Sequence, residues 1–400
     1  MALSQKLKSE VLLNIREVLK QQIKWRRYLH QYPELSFKEY QTTAFLKDVI
    51  KQMGLRIIPI KFKTGLLAEL KGKSSGPTVA VRTDIDALPI TEQTNLPFKS
   101  KNKGCMHACG HDFHMAVVLG VATVLKKMKN DFPGQVRFIF QPAEETPPGG
   151  ARPMIANGAL KDVDMILGLH VDPTIGVGQI SLRDGITMAS VTDFDLIIKG
   201  KSGHAAHPHS SVDAIVIAAE IVGSLQKIVS REIDPIVPVV ITFGKIEGGY
   251  ARNVISDWVQ LTGTARTLSA KEAKKIPRLI KRIATSICQA HGAKLEMKII
   301  ADYPVLSNYK EANNLLARNF DQFFGKKNRS VTVPTLGGED FACYLEKTMG
   351  AMFRLGVKNK KIKADKPWHS SQFIGDERAI FYGTSLLIAT VIDFLQSRKQ

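Results

Sequence analysis

Within eight residues, His107-Ala-Cys-Gly-His-Asp-Phe-His114 gathers three imidazoles and a thiol. Both are ligands suited to Zn²⁺-like ions, and an extended Cys109-x-His111 would turn its two side chains toward one point. Alone, the pair also describes a buried cysteine beside a hydrogen-bonded histidine. It gains meaning from the acids and histidines that close several strand-like runs. Arg82-Thr-Asp-Ile-Asp86 ends one run with carboxylates at i and i+2, on one side of an extended chain. Phe140-Gln-Pro-Ala-Glu-Glu145 ends another with adjacent carboxylates, which must point in different directions. One can then bind a cation while the other stays free as a base. Gly168-Leu-His170 ends a third run, and Pro367-Trp-His369 follows the last strands of the C-terminal part.

The elements that must position these groups are readable from periodicity. The first 29 residues carry Leu7, Val11, Leu12, Ile15, Val18, Leu19 and Ile23 at helical spacing, and a second helix spans Glu39 to Met53, ended by Gly54. Short β-rich runs at Leu66 to Leu70, Thr78 to Arg82, Val136 to Phe140 and residues 164 to 171 alternate with an apolar helix at Asp112 to Met128. That alternation predicts an α/β sheet with crossovers, whose ligands bind at the carboxyl ends of the strands. From about Val191 the order changes to strand, helix (Asp213 to Ser230), strand, strand (Trp258 to Thr267), helix (Ala270 to His291), strand, a self-contained α+β set. A final helix is expected from Asp376 to Leu395. The pattern predicts a catalytic domain in two parts, 1–187 and 301–400, interrupted by a smaller domain, 188–300.

The composition is that of a packed enzyme-sized chain: 400 residues, 44% apolar and 23% charged. Its longest charge-free stretch, Ala379 to Ile392, is shorter than the roughly 20 residues that cross a bilayer, and no apolar leader is expected at the N-terminus. Four cysteines do not make a disulfide framework, so the cytoplasm is the expected compartment. The excess of 56 basic over 37 acidic residues, a net charge of +19, raises nucleic acid as a partner. Most of that excess is lysine without interleaved aromatics, which reads as a solvated surface, and neither a nucleic-acid nor a membrane partner is expected.

The pieces RRYLHQYPELSFKEY, RTDIDALPITE, MHACGHDFHMA, QPAEETPPGGARPMI, GKSGHAAHPH, GGYARNVI, GTARTL and GGEDFA span nearly the whole chain in order. They resemble the zinc-peptidase-related amidohydrolases of the aminoacylase/carboxypeptidase superfamily. The branch in question holds hippurate hydrolases, auxin-conjugate hydrolases, N-acyl-amino-acid amidohydrolases and N-acetyldiaminopimelate deacetylases. The resemblance implies a zinc-peptidase-like α/β catalytic domain interrupted by a ferredoxin-like lid and dimerisation domain, hence a homodimer.

It also implies two divalent metal ions, Zn²⁺ or Mn²⁺, held by Cys109, His111, Glu145, His170 and His369. Glu144 takes the general-base position, and Asp86 orients a ligand imidazole. Many members of the superfamily carry His-x-Asp where this chain has Asp84-Ile-Asp86, but its branch shares the aspartate. His204 matches a lid histidine that reaches a neighbouring active site, with His209 as its alternative. Asn253 and Arg266 match polar residues that hold substrate, and Arg266 is placed to pair with an α-carboxylate. His107, His114 and His207 are left with support roles. The implied activity is metal-dependent hydrolysis of the amide bond of small N-acyl amino acids, with a dipeptidase or carboxypeptidase on the same fold as the alternative. A cysteine amidase with Cys109 as nucleophile, and a non-catalytic binding protein, are rival classes.

Overall fold

The N-terminal apolar stripe forms α1 (Gln5–Gln31), which buries Val11, Ile15, Val18 and Leu29 on one face. Its start is set by Ser4, whose hydroxyl accepts a hydrogen bond from the Leu7 amide at 3.2 Å. In this computed structural model residues 4–397 are described. The chain divides into two units, one of Met1–Gly185, Ser307–Val333 and Cys343–Gln400, and one of Ile186–Leu306 and Pro334–Ala342. Residues 1–3 and 398–400, the outer ends of the expected catalytic segments, lie outside the described residues.

In the first unit α1 is followed by α2 (Tyr40–Gln52), β1 (Arg56–Ile58), β2 (Leu66–Lys71), β3 (Thr78–Asp84) and α3 (His111–Lys127). Next come β4 (Gln135–Gln141), α4 (Ala151–Ala156), β5 (Met165–Gly176) and β6 (Ile180–Leu182), before β7 (Gly185–Met188) carries the chain onward. The other unit contains β8 (Ser190–Lys199), β9 (Gly203–His204), α5 (Ala214–Lys227), β10 (Val239–Gly248), β11 (Val254–Ile255), β12 (Trp258–Thr267), α6 (Ala270–Ala290) and β13 (Lys294–Tyr303). After β14 (Leu306–Asn308) come α7 (Lys310–Phe324), β15 (Arg329–Val331), α8 (Ala342–Leu345), β16 (Met349–Lys358) and α9 (Ala379–Ser397).

The large sheet has the order β1-β2-β4-β3-β5-β16-β6-β15. β3 lies between β4 and β5 and is parallel to both, and β16 is parallel to β5. The chain therefore steps from β3 to one side and returns to the other, which leaves a crevice at the carboxyl ends of these strands. These strands read as continuous apolar runs because both faces of the sheet are covered: every residue of β3 is buried. α3 packs against α1 so closely that a Cβ on Gly120 would meet the Gln22 amide of α1 at 1.8 Å. That amide instead donates to the Ala116 carbonyl at 3.1 Å and the Thr384 hydroxyl at 2.8 Å. Among the described helices, α9 is long and apolar enough to cross a bilayer, yet most of it is buried in this unit's core. It begins at Ala379 rather than Asp376, whose carboxylate is occupied by the Arg378 amide and guanidinium and by Asn359.

The second unit has a four-stranded antiparallel sheet of order β10-β12-β8-β13. Its succession β-α-β-β-α-β in that order is a split β-α-β, the ferredoxin-like arrangement. Alternation places Val259, Leu261 and Ala265 of β12 in the core with Ile217, Ile221 and Leu225 of α5 and Ile276 and Ile280 of α6. Asp213 is the N-cap of α5, accepting from the Ile215 and Val216 amides. It stands outside the helix it was expected to begin.

Candidate metal centre

The parallel register brings three strands level. Asp84 is opposite Gln141 and Arg82 is opposite Gly168, so Asp86 and the Glu144–Glu145 pair, just past the ends of β3 and β4, come to the same edge as His170, which is still within β5 and paired with Arg354 of β16. Cys109 and His111 reach that edge from the start of α3. The expected extended loop is not found there: Gly110 is left-handed (φ 89°, ψ 19°) and caps the helix, with His111 in its first turn. The turn, not strand alternation, aims the thiol and the imidazole at one region, and glycine is the residue that adopts it without strain.

The donor atoms converge. Cys109 Sγ is 3.4 Å from His170 Nε2. His111 Nε2 is 3.7 Å from Glu145 Oε1 and 3.9 Å from Glu144 Oε2. His369 Nε2 is 3.5 Å from Glu145 Oε2. Donor atoms of Cys109, His111 and His170 lie within 4.8 Å of one another, as do those of Cys109, Glu145 and His369. The two groups overlap at Cys109. His111 Nε2 and Glu145 Oε1 are buried without a hydrogen-bond partner, which is costly for groups of this polarity unless a cation sits between them. The sulfur, nitrogen and oxygen donor set fits a divalent metal.

Neighbouring groups fix the imidazoles. His111 Nδ1 donates to the Asp86 backbone carbonyl at 2.9 Å, which leaves Nε2 as the nitrogen that faces the acids. His170 Nδ1 likewise donates to the Val171 carbonyl at 2.8 Å, an oxygen that also accepts from Trp368 Nε1 at 2.9 Å. The Val171 amide donates to His114 Nε2 at 2.9 Å, and His114 Nδ1 donates to Asp84 at 2.7 Å. Asp84 in turn accepts from Arg82 at 2.8 Å. β3 stops pairing with β5 at Gly168, so the His114 side chain holds β5 where backbone pairing with β3 has ended. The Asp86 carboxylate accepts from the Ser36 hydroxyl at 2.6 Å and the Glu145 amide at 3.0 Å. The His369 amide donates to the Ala108 carbonyl at 2.9 Å.

Charge within the cluster is lopsided. Burial works against a charged His111, but Asp84, Asp86 and Glu145 override it and raise its pKa to about 10. Burial pushes Glu145 up to about 7 against the pull of His111. Burial and then Arg354 keep His170 well below the imidazole range, hence neutral. Burial, Glu145 and Glu144 hold the Cys109 thiol well above its ordinary value. A thiol in such surroundings is a poor nucleophile, which weighs against a cysteine amidase, whereas a metal deprotonates it on binding.

Of the remaining expected residues, Asp86 and Glu144 are buried within the donor cluster. His204, Asn253 and Arg266 belong to the second unit. His204 pairs with Val254 in the β9–β11 ladder and is exposed, as are Asn253 and the nearby His207 and His209. Arg266 is half-buried on β12, and its guanidinium donates to the Leu336 carbonyl at 3.2 Å. His107 is buried, and burial pushes it down to about 4. The sequence reading gave no role to Asp84, Ser36, Glu39 or Trp368. His114, three residues after His111 and so on the same helix face, was the available sign of the Asp84 partnership.

The sequence model of peptidase family M20/M25/M40 matches residues 80–392. The chain is 40% identical over 389 residues to N-acetyl-L-cysteine deacetylase of Bacillus subtilis, covering 97% of this chain and 91% of that protein. It is 39% identical over 386 residues to thermostable carboxypeptidase 1 of Saccharolobus solfataricus, covering 96% of each. A dinuclear metal-binding M20 peptidase of known structure from Bacillus subtilis superposes with a TM-score of 0.82 at 35% identity, covering 96% of this chain and 99% of that one.

Proposed function

The chain belongs to peptidase family M20/M25/M40, and from that premise we propose that it hydrolyses the amide bond of N-acyl amino acids, releasing the amino acid and a carboxylic acid. The observation that carries this reading is the convergence of Cys109, His111, Glu145, His170 and His369 beside a second, buried carboxylate, Glu144. These five residues would hold two divalent ions, Zn²⁺ or Mn²⁺, with the thiolate favouring the softer Zn²⁺. When bound, such ions lower the pKa of water and polarise an amide carbonyl.

The protein's own groups supply the rest. Glu144 accepts the proton of the attacking water and returns it to the departing amine. Asp86 keeps His111 in the tautomer that presents Nε2, and the Val171 carbonyl does the same for His170. In this reading His204 stabilises the developing oxyanion, while Asn253 and Arg266 hold the substrate, Arg266 through its α-carboxylate. The reading extends to a cytoplasmic homodimer formed through the second unit, with no nucleic-acid or membrane partner.

The likeness to a thermostable carboxypeptidase favours, as a second reading, cleavage of peptides with a free C-terminus. One panel tests both: N-acetyl, N-benzoyl and N-indoleacetyl amino acids, N-acetyldiaminopimelate and a dipeptide, each with metal-loaded wild type and Glu144→Ala. Cleavage of the acylated substrates, lost in the variant by about 10²- to 10⁴-fold with metal content unchanged, is the expected result. Cleavage of the dipeptide alone favours the second reading, and activity surviving in Glu144→Ala refutes the assignment of the base.

A further inference from the structure

Two adjacent carboxylates can play different parts only if the backbone sends them in different directions. β4 ends at Gln141, and Ala143, two residues on, is left-handed with φ 52°, a conformation that costs an alanine energy and needs support from its surroundings. Its buried amide lies beyond the sheet ladder and must find an acceptor elsewhere. The acceptor is Glu39, 104 residues away in sequence, whose Oε1 receives the Ala143 amide at 2.8 Å. The Ala143 carbonyl is held from the other side by the Gly150 amide at 2.9 Å.

Glu39 is itself fully buried. It is the N-cap residue of α2, yet its side chain makes no capping bond to that helix. Its Oε1 takes the Phe37 amide at 3.0 Å as well as that of Ala143, so the carboxylate faces the loop before the helix and the chain after β4. The same loop sends the Ser36 hydroxyl to Asp86, which accepts the Glu145 amide. The stretch from Ala143 to Glu145 is thus gripped at both ends by carboxylates from other segments, one of them directly from the 34–39 loop.

We propose that Glu39 is a positioning residue for the catalytic base: its carboxylate holds the left-handed peptide at Ala143 and so sets the directions in which Glu144 and Glu145 leave the chain. The inference rests on Glu144 being the base. Without the bond, Ala143 relaxes out of the left-handed region and Glu144 turns with it, while Cys109, His111 and His170 keep their places. Burial, and then the nearby Asp86, raise the Glu39 carboxyl to about 7, and Oε1 accepts the Ala143 amide whether or not the group is ionised; leaving that buried amide without an acceptor is costly enough to bias the choice.

The test uses full-length protein. Glu39→Met keeps the buried volume and removes the acceptor, Glu39→Asp keeps the carboxyl group and shortens the reach, and Glu39→Gln keeps an acceptor in place. Expected are a fall in kcat of about 10- to 100-fold for Met and Asp with KM changed less, kcat within about threefold for Gln, and partial recovery when Ala143→Gly is added to Glu39→Met. Hydrogen exchange of the segment from Phe140 to Gly150, measured on metal-free protein, should speed up in Met and Asp and stay slow in Gln. Unchanged exchange and kcat in both Met and Asp would overturn the proposal, as would a Gln variant as impaired as Met. Glu144→Gln, run alongside, separates the two ideas: if it stays active the base assignment fails, while the exchange measurement still decides whether Glu39 holds Ala143.

Discussion

Gly110→Ala should weaken both the fold and metal binding, because this glycine sits between two proposed ligands at a place where a side chain meets two obstacles. At φ 89° an alanine gives up about 1–2 kcal/mol to adopt the left-handed cap. Its Cβ would also lie 2.3 Å from Val171 Cγ2, with Phe373 at 3.5 Å behind, so β5 must shift at a further cost of about 1–3 kcal/mol. Together these amount to about 2–5 kcal/mol, a fall in the melting temperature on the order of 4–10 °C for the metal-free protein. The displaced residue is the one whose carbonyl fixes the His170 tautomer and whose amide is held by His114. Metal affinity should therefore fall by about 10- to 100-fold, as it does when groups supporting a ligand are disturbed. Scanning calorimetry without metal and titration calorimetry with Zn²⁺ read the two effects separately. Adding Val171→Ala should recover the steric part of the loss and leave the backbone part. A melting temperature within about 1 °C of wild type, with metal affinity within about twofold, would refute the reasoning.

His114→Leu removes one partner of the buried Asp84 and the acceptor of the Val171 amide, so a loss of about 3–5 kcal/mol is expected in denaturant unfolding of metal-free protein; a loss under about 1 kcal/mol would contradict it. Chelation should abolish activity, and either divalent ion should restore it, whereas full activity in excess chelator would return the cysteine amidase to consideration. Asp112 is ion-paired with Arg26 at 2.7 Å and accepts from His30 at 2.9 Å, and although burial opposes its charge these partners hold its carboxyl well below the usual carboxylate range. A carboxyl depressed on folding adds stability that is fully present above its unfolded pKa and is lost as pH falls through the folded one. Asp112→Asn should therefore flatten the decline of melting temperature with acid below about pH 4, while curves that stay parallel to wild type would speak against it.

Much of the architecture was legible because it depends on local periodicity. The alternation in Trp258–Thr267 matches β12 residue for residue, since one face of that strand is buried and the other is not. The apolar stripe of the first 29 residues and the Gly after Met53 marked α1 and the end of α2 for the same kind of reason. The donor types were legible too: acids and histidines placed just after apolar strand runs must gather wherever parallel strands end side by side. The sequence by itself thus determined the elements, their alternation and the kinds of atom at the strand ends. Its reading of Cys109-x-His111 as extended failed because the left-handed turn at Gly110 is set by close packing on Val171.

What only the tertiary structure decided is direction. Of the Asp84–His114–Val171 chain, spanning three elements, the sequence shows only that His114 shares a helix face with His111, and the reach of Glu39 to Ala143 leaves no trace in any window of sequence. The physical reason is that periodicity records which face of an element is dry. The aim of a single carboxylate is set by one backbone torsion and by hydrogen bonds from residues that become neighbours only once the chain has folded.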